Sequence, residues 1–210
     1  MPATRMRRVV TAEKLDLYRL HKDEYVTPKK PVLVDIGPAQ YLSINGRGEP
    51  GGKLFQDQVG LLYGVAFTIK MTKKFAGRDY KVCYLEGLWW TDDGVTFVEK
   101  PVSVWNWKLL IRVPDFVTAE DLGAALAQIR KQGKPVDAGE VELETINEGR
   151  CVQVLHIGPY ESERETISRM MELAREKGLS FDGAHHEIYL SDPRRVPAAR
   201  LRTILRHPAR

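Results

Sequence analysis

An internal duplication is what most constrains the fold of this chain. Residues 31 to 112 and 141 to 206 run through one order of elements: a polar turn, an apolar strand, a Gly/Pro turn, an amphipathic helix, and a strand carrying a glutamate. In the first passage, Val32-Leu33-Val34-Asp35 and Tyr41-Leu42-Ser43-Ile44 lead to a helix and then to Val82-Cys83-Tyr84-Leu85-Glu86. In the second, Val141-Glu142-Leu143-Glu144 and Val152-Gln153-Val154-Leu155-His156-Ile157 lead to a helix and then to His185-His186-Glu187-Ile188-Tyr189-Leu190. An amphipathic helix and a one-sided sheet each need an apolar partner surface, so the pattern predicts an α+β class. Two such halves meeting about a pseudo-two-fold axis would leave a concave seam, and the aromatic and acidic residues assigned to that seam point to a small-molecule pocket.

Punctuation divides the chain into a peripheral N-terminal segment (1–30), a first repeat (31–134) and a second repeat (135–210), fused as one domain. Glu13 to Tyr25 is expected to be a peripheral helix packed by Leu15, Leu17 and Leu20, ended by Pro28-Lys29-Lys30-Pro31. Pro31 to Ile36 is read as a strand that turns at Gly37-Pro38 into its partner, Tyr41 to Ile44, with Asn45-Gly46-Arg47-Gly48 as a loop. Phe55, Val59, Leu62, Tyr63, Ala66 and Ile69 recur at helical spacing over Leu54 to Lys74. Tyr80 to Trp90 and Ser103 to Val113 read as strands about an Asp92-Asp93-Gly94 turn, the second with Trp105, Trp107, Leu109 and Ile111 on one side. Thr118 with Asp121 three residues on is a helix start, and Gly133 a stop. Beyond the Gly/Pro/Lys-rich boundary at 131–139, Glu140 to Ile146 and Arg150 to Ile157 are expected to pair with each other. A helix bearing Ile167, Met170, Met171 and Ala174 then ends at Gly178, and a short basic tail follows the His185 to Leu190 strand.

Composition removes several function classes. With 210 residues, 43% hydrophobic and 29% charged, the chain can build a real core. No run approaches the about 20 apolar residues of a membrane span, and Met1-Pro2-Ala3-Thr4-Arg5 is no signal core, so a cytoplasmic protein without a membrane partner is expected. Cys83 and Cys151 sit in apolar runs as small core residues. The net charge of +4 gathers at the ends, in Arg5, Arg7 and Arg8 and in Arg194, Arg195, Arg200, Arg202, Arg206 and Arg210, and is read as solvated tails; a nucleic-acid partner is not expected. Phosphate-loop, dinucleotide and nucleophile-elbow motifs are missing, and no cofactor is expected.

Period-two alternation puts His185, Glu187 and Tyr189 on one strand face and His186, Ile188 and Leu190 on the other, which aims Glu187 at the seam. By the same rule Glu86 shares a face with Tyr84, Leu88 and Trp90, and is taken as the counterpart of Glu187. A carboxylate among aromatics is poorly solvated, which suits a base or a partner for a cationic ligand; the plainer reading is an arginine pair at a sheet edge. All four tryptophans, Trp89, Trp90, Trp105 and Trp107, lie between positions 89 and 107, where they offer stacking area or simply core. Tyr160, after Gly158-Pro159, either points a phenol over the cleft or covers the core. Adjacent His185 and His186 point apart on a strand, and no metal site is expected.

Taken together, Leu85-Glu86-Gly87-Leu88-Trp89-Trp90, Trp105-Asn106-Trp107, Pro114-Asp115-Phe116-Val117-Thr118, His156-Ile157-Gly158-Pro159-Tyr160 and His185 through Pro193 resemble GyrI-like proteins, in particular their stand-alone branch, over about residues 13 to 208. The resemblance implies tandem βαββ-type (SHS2-like) repeats, an antiparallel sheet, and a cleft between the halves that binds bulky hydrophobic or cationic polycyclic compounds near a buried glutamate. It implies as well that the chain is similar to cyclopropanoid hydrolases, which detoxify DNA-alkylating antibiotics by ring opening. Glu187 would then be general base and Tyr160 hydrogen-bond donor, Glu86 an acid or polar anchor, and Trp89, Trp90, Trp105, Trp107 and Tyr63 the stacking walls beside His185 and Tyr189. The other readings are a drug-sequestering or effector-sensing module without turnover. Residues 1–30 are too few for a helix-turn-helix domain, and no feature ties the chain to DNA gyrase, the partner that named the family.

Overall fold

Alternating apolar residues build the sheet, and their register decides which face each side chain joins. The structure, a computed structural model, describes residues 13–92, 105–133 and 136–210. Its strands are β1 (Val32–Ile36), β2 (Ala39–Arg47), β3 (Leu85–Trp90), β4 (Asn106–Arg112), β5 (Val141–Ile146), β6 (Gly149–Ile157), β7 (His185–Tyr189) and β8 (Arg202–Pro208). Among the described residues they form one eight-stranded antiparallel sheet in the order β1-β6-β8-β7-β3-β4-β2-β5.

Pairing is exchanged between the halves, which corrects two expected hairpins. β1 lies on β6, with Val34 opposite Cys151, and β5 lies on β2. The strands expected to pair on either side of Gly37-Pro38, and those on either side of Glu148, do not touch as ladders. The exchange sets Ile44 beside Val141 and Leu42 beside Leu143, apolar on apolar, a cross-strand match that a local hairpin lacks. β2 also continues through Asn45-Gly46-Arg47, the expected loop. Gly46 permits this, because a Cβ there would stand 2.3 Å from the Trp107 indole nitrogen and 2.5 Å from the Gln58 amide oxygen. The basic tail is the larger correction: residues 202–208 form β8, an inner strand between β6 and β7. Arg206 is buried there because Glu148 and Gln153 meet its guanidinium at 2.8 and 2.7 Å.

Three helices follow the expected periodicity: α3 (Lys53–Phe75), α4 (Ala119–Lys131) and α5 (Glu163–Glu176). α4 starts in a full capping box between Thr118 and Asp121. α3 packs on β2 and β4, α5 on β6, and α4 on α3 and β5. Leu42, Ile44, Trp107, Leu109 and Ile111 therefore bury against Leu62, Val65 and Ile69 in the main core. No helix among the described residues is long and apolar enough to cross a membrane.

The opposite sheet face is covered by the N-terminal segment, which folds as two single turns, α1 (Leu17–Leu20) and α2 (Lys22–Tyr25), instead of one helix. Leu17 and Tyr25 are buried, whereas Leu20 is exposed. Tyr25 joins Leu155, Ile188 and Ile204 in a second small core. The positions Asp93, Gly94, Ser103 and Val104, and the arginines at 5, 7 and 8, lie outside the described residues.

Candidate functional site

β3 and β7 are neighbours at the middle of the sheet, and Gly87 stands opposite Glu187, Trp89 opposite His185. The face toward α3 and α5 thus carries Gly87, Trp89, His185, Glu187 and Tyr189. Glu187 is only 7% exposed. The Tyr189 hydroxyl donates to its Oε2 at 2.7 Å, and the Trp89 indole N–H donates to that hydroxyl at 3.1 Å. The chain of donors exists because Gly87 has no side chain: a Cβ would come within 2.9 Å of the indole nitrogen and 3.2 Å of the hydroxyl. His185 Nε2 lies 3.9 Å from Glu187 Oε1.

A second carboxyl group, absent from the expected set, completes this site. Glu163, in the first turn of α5, is 5% exposed, and its carboxyl faces Glu187 with the Thr203 hydroxyl beside it. Burial pushes Glu187 up to about 7, and hydrogen bonds from Tyr189 and Glu163 limit the rise. Burial and then the adjacent Glu187 charge push Glu163 well above the carboxylate range. Two buried carboxyls in contact cannot both ionise cheaply, so Glu163 holds a proton toward Glu187. The sequence did contain a signal: Glu163 precedes Ile167, Met170 and Ala174 at i+4, i+7 and i+11, on the buried stripe of α5.

Beside this cluster lies an open groove of about 1100 Å³, bounded by the end of β3, α5 and the 179–185 loop. Trp89, Trp90, Met171, Phe181, His185 and His207 form its apolar and aromatic walls. Phe181 stacks on His207 with centroids 4.1 Å apart. Burial depresses His185 well below its usual range and His207 to about 4, so both imidazoles are neutral at pH 7. Trp89 and His185 are shared between groove and carboxyl cluster; Glu187 itself sits behind them and does not line the groove.

The remaining predicted residues divide. Trp107 is core, its indole N–H donated to Gln58 at 2.7 Å, and Trp105 packs edge-on against Trp89 at 5.9 Å. Tyr63, on α3, is half-buried beside Phe67. Tyr160 is 37% exposed, its ring edge-on to Tyr189 at 6.0 Å, and burial raises its phenol to about 12. His156 supports the Tyr160 turn: its Nε2 lies 3.2 Å from the Pro159 carbonyl and its Nδ1 3.0 Å from the Thr166 hydroxyl.

Glu86 is the clearest correction. It is 0% exposed and faces away from Glu187, because antiparallel register sets it opposite Ile188. Its partner is His186 Nε2 at 3.0 Å, whose Nδ1 meets Glu148 at 3.0 Å. Arg206 joins Glu148, and Arg112 joins Glu24 at 2.6 Å and the Tyr25 hydroxyl at 2.9 Å. Three cations thus meet three carboxylates in a buried network that ties α2 to β3, β4, β7 and β8. Glu86 is part of that clamp, and no longer a counterpart in the cleft.

No curated protein matches the chain. Its structure is similar to the EcmrR C-terminal domain at 14% identity (86% of this chain, 97% of that one, TM-score 0.55), a likeness of fold alone. It is much closer to a conserved protein from Listeria innocua, at 36% identity over 94% of this chain and 100% of that one with a TM-score of 0.87. A hydrolase from Listeria innocua is 35% identical over the same shares, with a TM-score of 0.85. Residues 29–209 match the GyrI-like small molecule binding domain, and the chain belongs to that family.

Proposed function

We propose that the chain is a hydrolase that binds bulky, planar hydrophobic molecules in the aromatic groove and opens the cyclopropane of cyclopropanoid alkylating agents with water. The halves, residues 31–134 and 135–210, are read as pseudo-two-fold repeats meeting at β3 and β7, with the substrate cleft over that junction. A strand order that pairs each half's first strand with the other half's second strand supports the symmetry. The name of the 35% identical Listeria protein supports hydrolysis. The observation that carries the reading is Glu187, a buried carboxylate pushed up to about 7 beside an aromatic groove. A base with that affinity for protons is suited to act near neutral pH.

In this mechanism Trp89, Trp90 and Phe181 stack the substrate and exclude bulk water. Glu187 takes a proton from a water whose oxygen bonds to the cyclopropane methylene carbon. The strained C–C bond breaks, and its electron pair passes into the conjugated ring to leave a phenolate oxygen. Tyr160, kept protonated by its raised affinity, donates a hydrogen bond to that oxygen. The phenolate then gains a proton from solvent and Glu187 releases one, so that one water is consumed.

A progress curve with a spirocyclopropane indole in at least tenfold excess tests the reading. Ring-opened alcohol accumulating to many equivalents per protein supports turnover. Saturable tryptophan quenching with no more than one ligand consumed per protein would instead make the groove a sequestering or sensing site.

A further inference from the structure

The Glu163 carboxyl is buried where a helix start would ordinarily place it in solvent, and no basic side chain among the described residues forms an ion pair with it. Its carboxyl faces Glu187 with the Thr203 hydroxyl beside it, and among the described residues its Oε1 has no hydrogen-bond partner. Around the pair stand Tyr189, His185 and His186 on β7, Thr203 on β8, and Tyr160 and Glu161 on the turn before α5; Trp89 on β3 reaches it through Tyr189. Of these, His186 belongs to the opposite face and is already neutralised by Glu86 and Glu148, and His185 is neutral. The pair is therefore left to settle its own charge. A protonated carboxyl in contact with a carboxylate, both desolvated, gains a charge-assisted hydrogen bond; a second negative charge at that separation would be uncompensated.

We infer that Glu163 is a positioning residue that shares a single proton with Glu187, holding that carboxylate ionised and fixed in orientation while remaining protonated itself. The inference deepens the hydrolase reading and rests on it only in naming Glu187 the base. Three consequences follow. Loss of the shared proton at high pH leaves two adjacent anions, which turns the Glu187 hydrogen bond into repulsion and releases its orientation. Gain of a second proton at low pH leaves Glu187 unable to accept one. Activity should then occupy the pH range in which the pair carries one proton, with both limbs belonging to the pair.

Full-length protein with ¹³C at the glutamate side-chain carboxyl carbons, titrated by NMR, reads the pair without any need for turnover. In the wild type, the Glu163 and Glu187 carbons should respond together in two separated steps. In Glu163→Gln, whose amide still donates to Glu187, Glu187 should titrate in one step and the upper step should vanish. Glu163→Asp, which withdraws the carboxyl by one methylene, should narrow the separation. If the protein turns over a cyclopropanoid, Glu163→Gln should keep the acidic limb of kcat and lose the alkaline one, a change that a merely structural role would not produce. A Glu187 carbon that titrates in one step in the wild type and is unmoved by Glu163→Gln would overturn the inference. The same holds for an alkaline limb that persists in that variant. A failure to find turnover, with the two-step titration intact, would overturn the hydrolase reading alone. Should Glu163→Gln fail to fold, the wild-type titration and Glu163→Asp decide the matter.

Discussion

The buried network on the far face of the sheet makes stability depend on pH in a calculable way. Burial alone would discharge His186, but Glu148 and Glu86 outweigh it and lift the imidazole to about 9 from its usual 6.5. A raised histidine stabilises the fold fully below its unfolded value of 6.5, and that stabilisation is lost as pH rises through 9. The displacement corresponds to about 3 kcal/mol, most of which should disappear between pH 6.5 and 9. In a chain of this size that is a fall in Tm of roughly 5–10 °C. Other buried groups titrate in overlapping windows, so the comparison that isolates His186 is with Glu148→Gln, which removes the carboxylate that raises it most. Urea midpoints at half-unit pH intervals should fall steeply between pH 6.5 and 9 in the wild type and much less in the variant. Parallel curves for the two proteins would refute the assignment of a charged His186 held by Glu148.

Further outcomes follow from single contacts. Gly87→Ala places a methyl within 2.9 Å of the Trp89 indole nitrogen, and should cost about 1–3 kcal/mol in urea unfolding and perturb tryptophan emission as the Trp89–Tyr189 bond breaks. Thr118→Ala removes the capping box of α4 and should cost about 1 kcal/mol with no effect on ligand quenching. Trp90→Ala strips one wall of the groove and should weaken binding of a planar aromatic about fivefold by fluorescence titration, in line with roughly 1 kcal/mol of stacking. At the acid end, His186 and Arg206 overcome burial to hold Glu148 down at about 2, so its contribution should be present above pH 4.5 and lost as pH falls toward 2, visible as an acid transition that Glu148→Gln lacks.

Local signals read well from the sequence wherever local physics decides the structure. The 3.6-residue recurrence of Leu62, Ala66 and Ile69 set α3, and Thr118 with Asp121 set the start of α4. Strand alternation correctly put Glu187 with His185 and Tyr189, and Glu86 with Leu88. Long-range choices were not legible in the same way. Alternation says which residues share a face but not which face a neighbouring strand turns to it, so Glu86 and Glu187 looked alike until register set them apart. Likewise a hairpin is the default reading of two strands joined by Gly37-Pro38, and only tertiary pairing sends β1 to β6. Arg202 and Arg206 made β8 look like a solvated tail, because the Glu148 and Gln153 that neutralise and satisfy Arg206 lie more than fifty residues away in sequence. Glu163 was masked by a good alternative, since an acid in the first turn of a helix is expected from the macrodipole alone.

In the proposed reaction Glu187 does chemistry on a ligand that the groove can hold without it. Glu187→Gln, which keeps the size and one accepting oxygen but removes the basic carboxylate, measures this when kcat on a spirocyclopropane indole is set against the dissociation constant of the ring-opened product. If Glu187 is the base, kcat falls at least 100-fold with binding changed less than threefold. Undiminished ring opening by the Gln variant, or a loss of binding equal to the loss of rate, would contradict it.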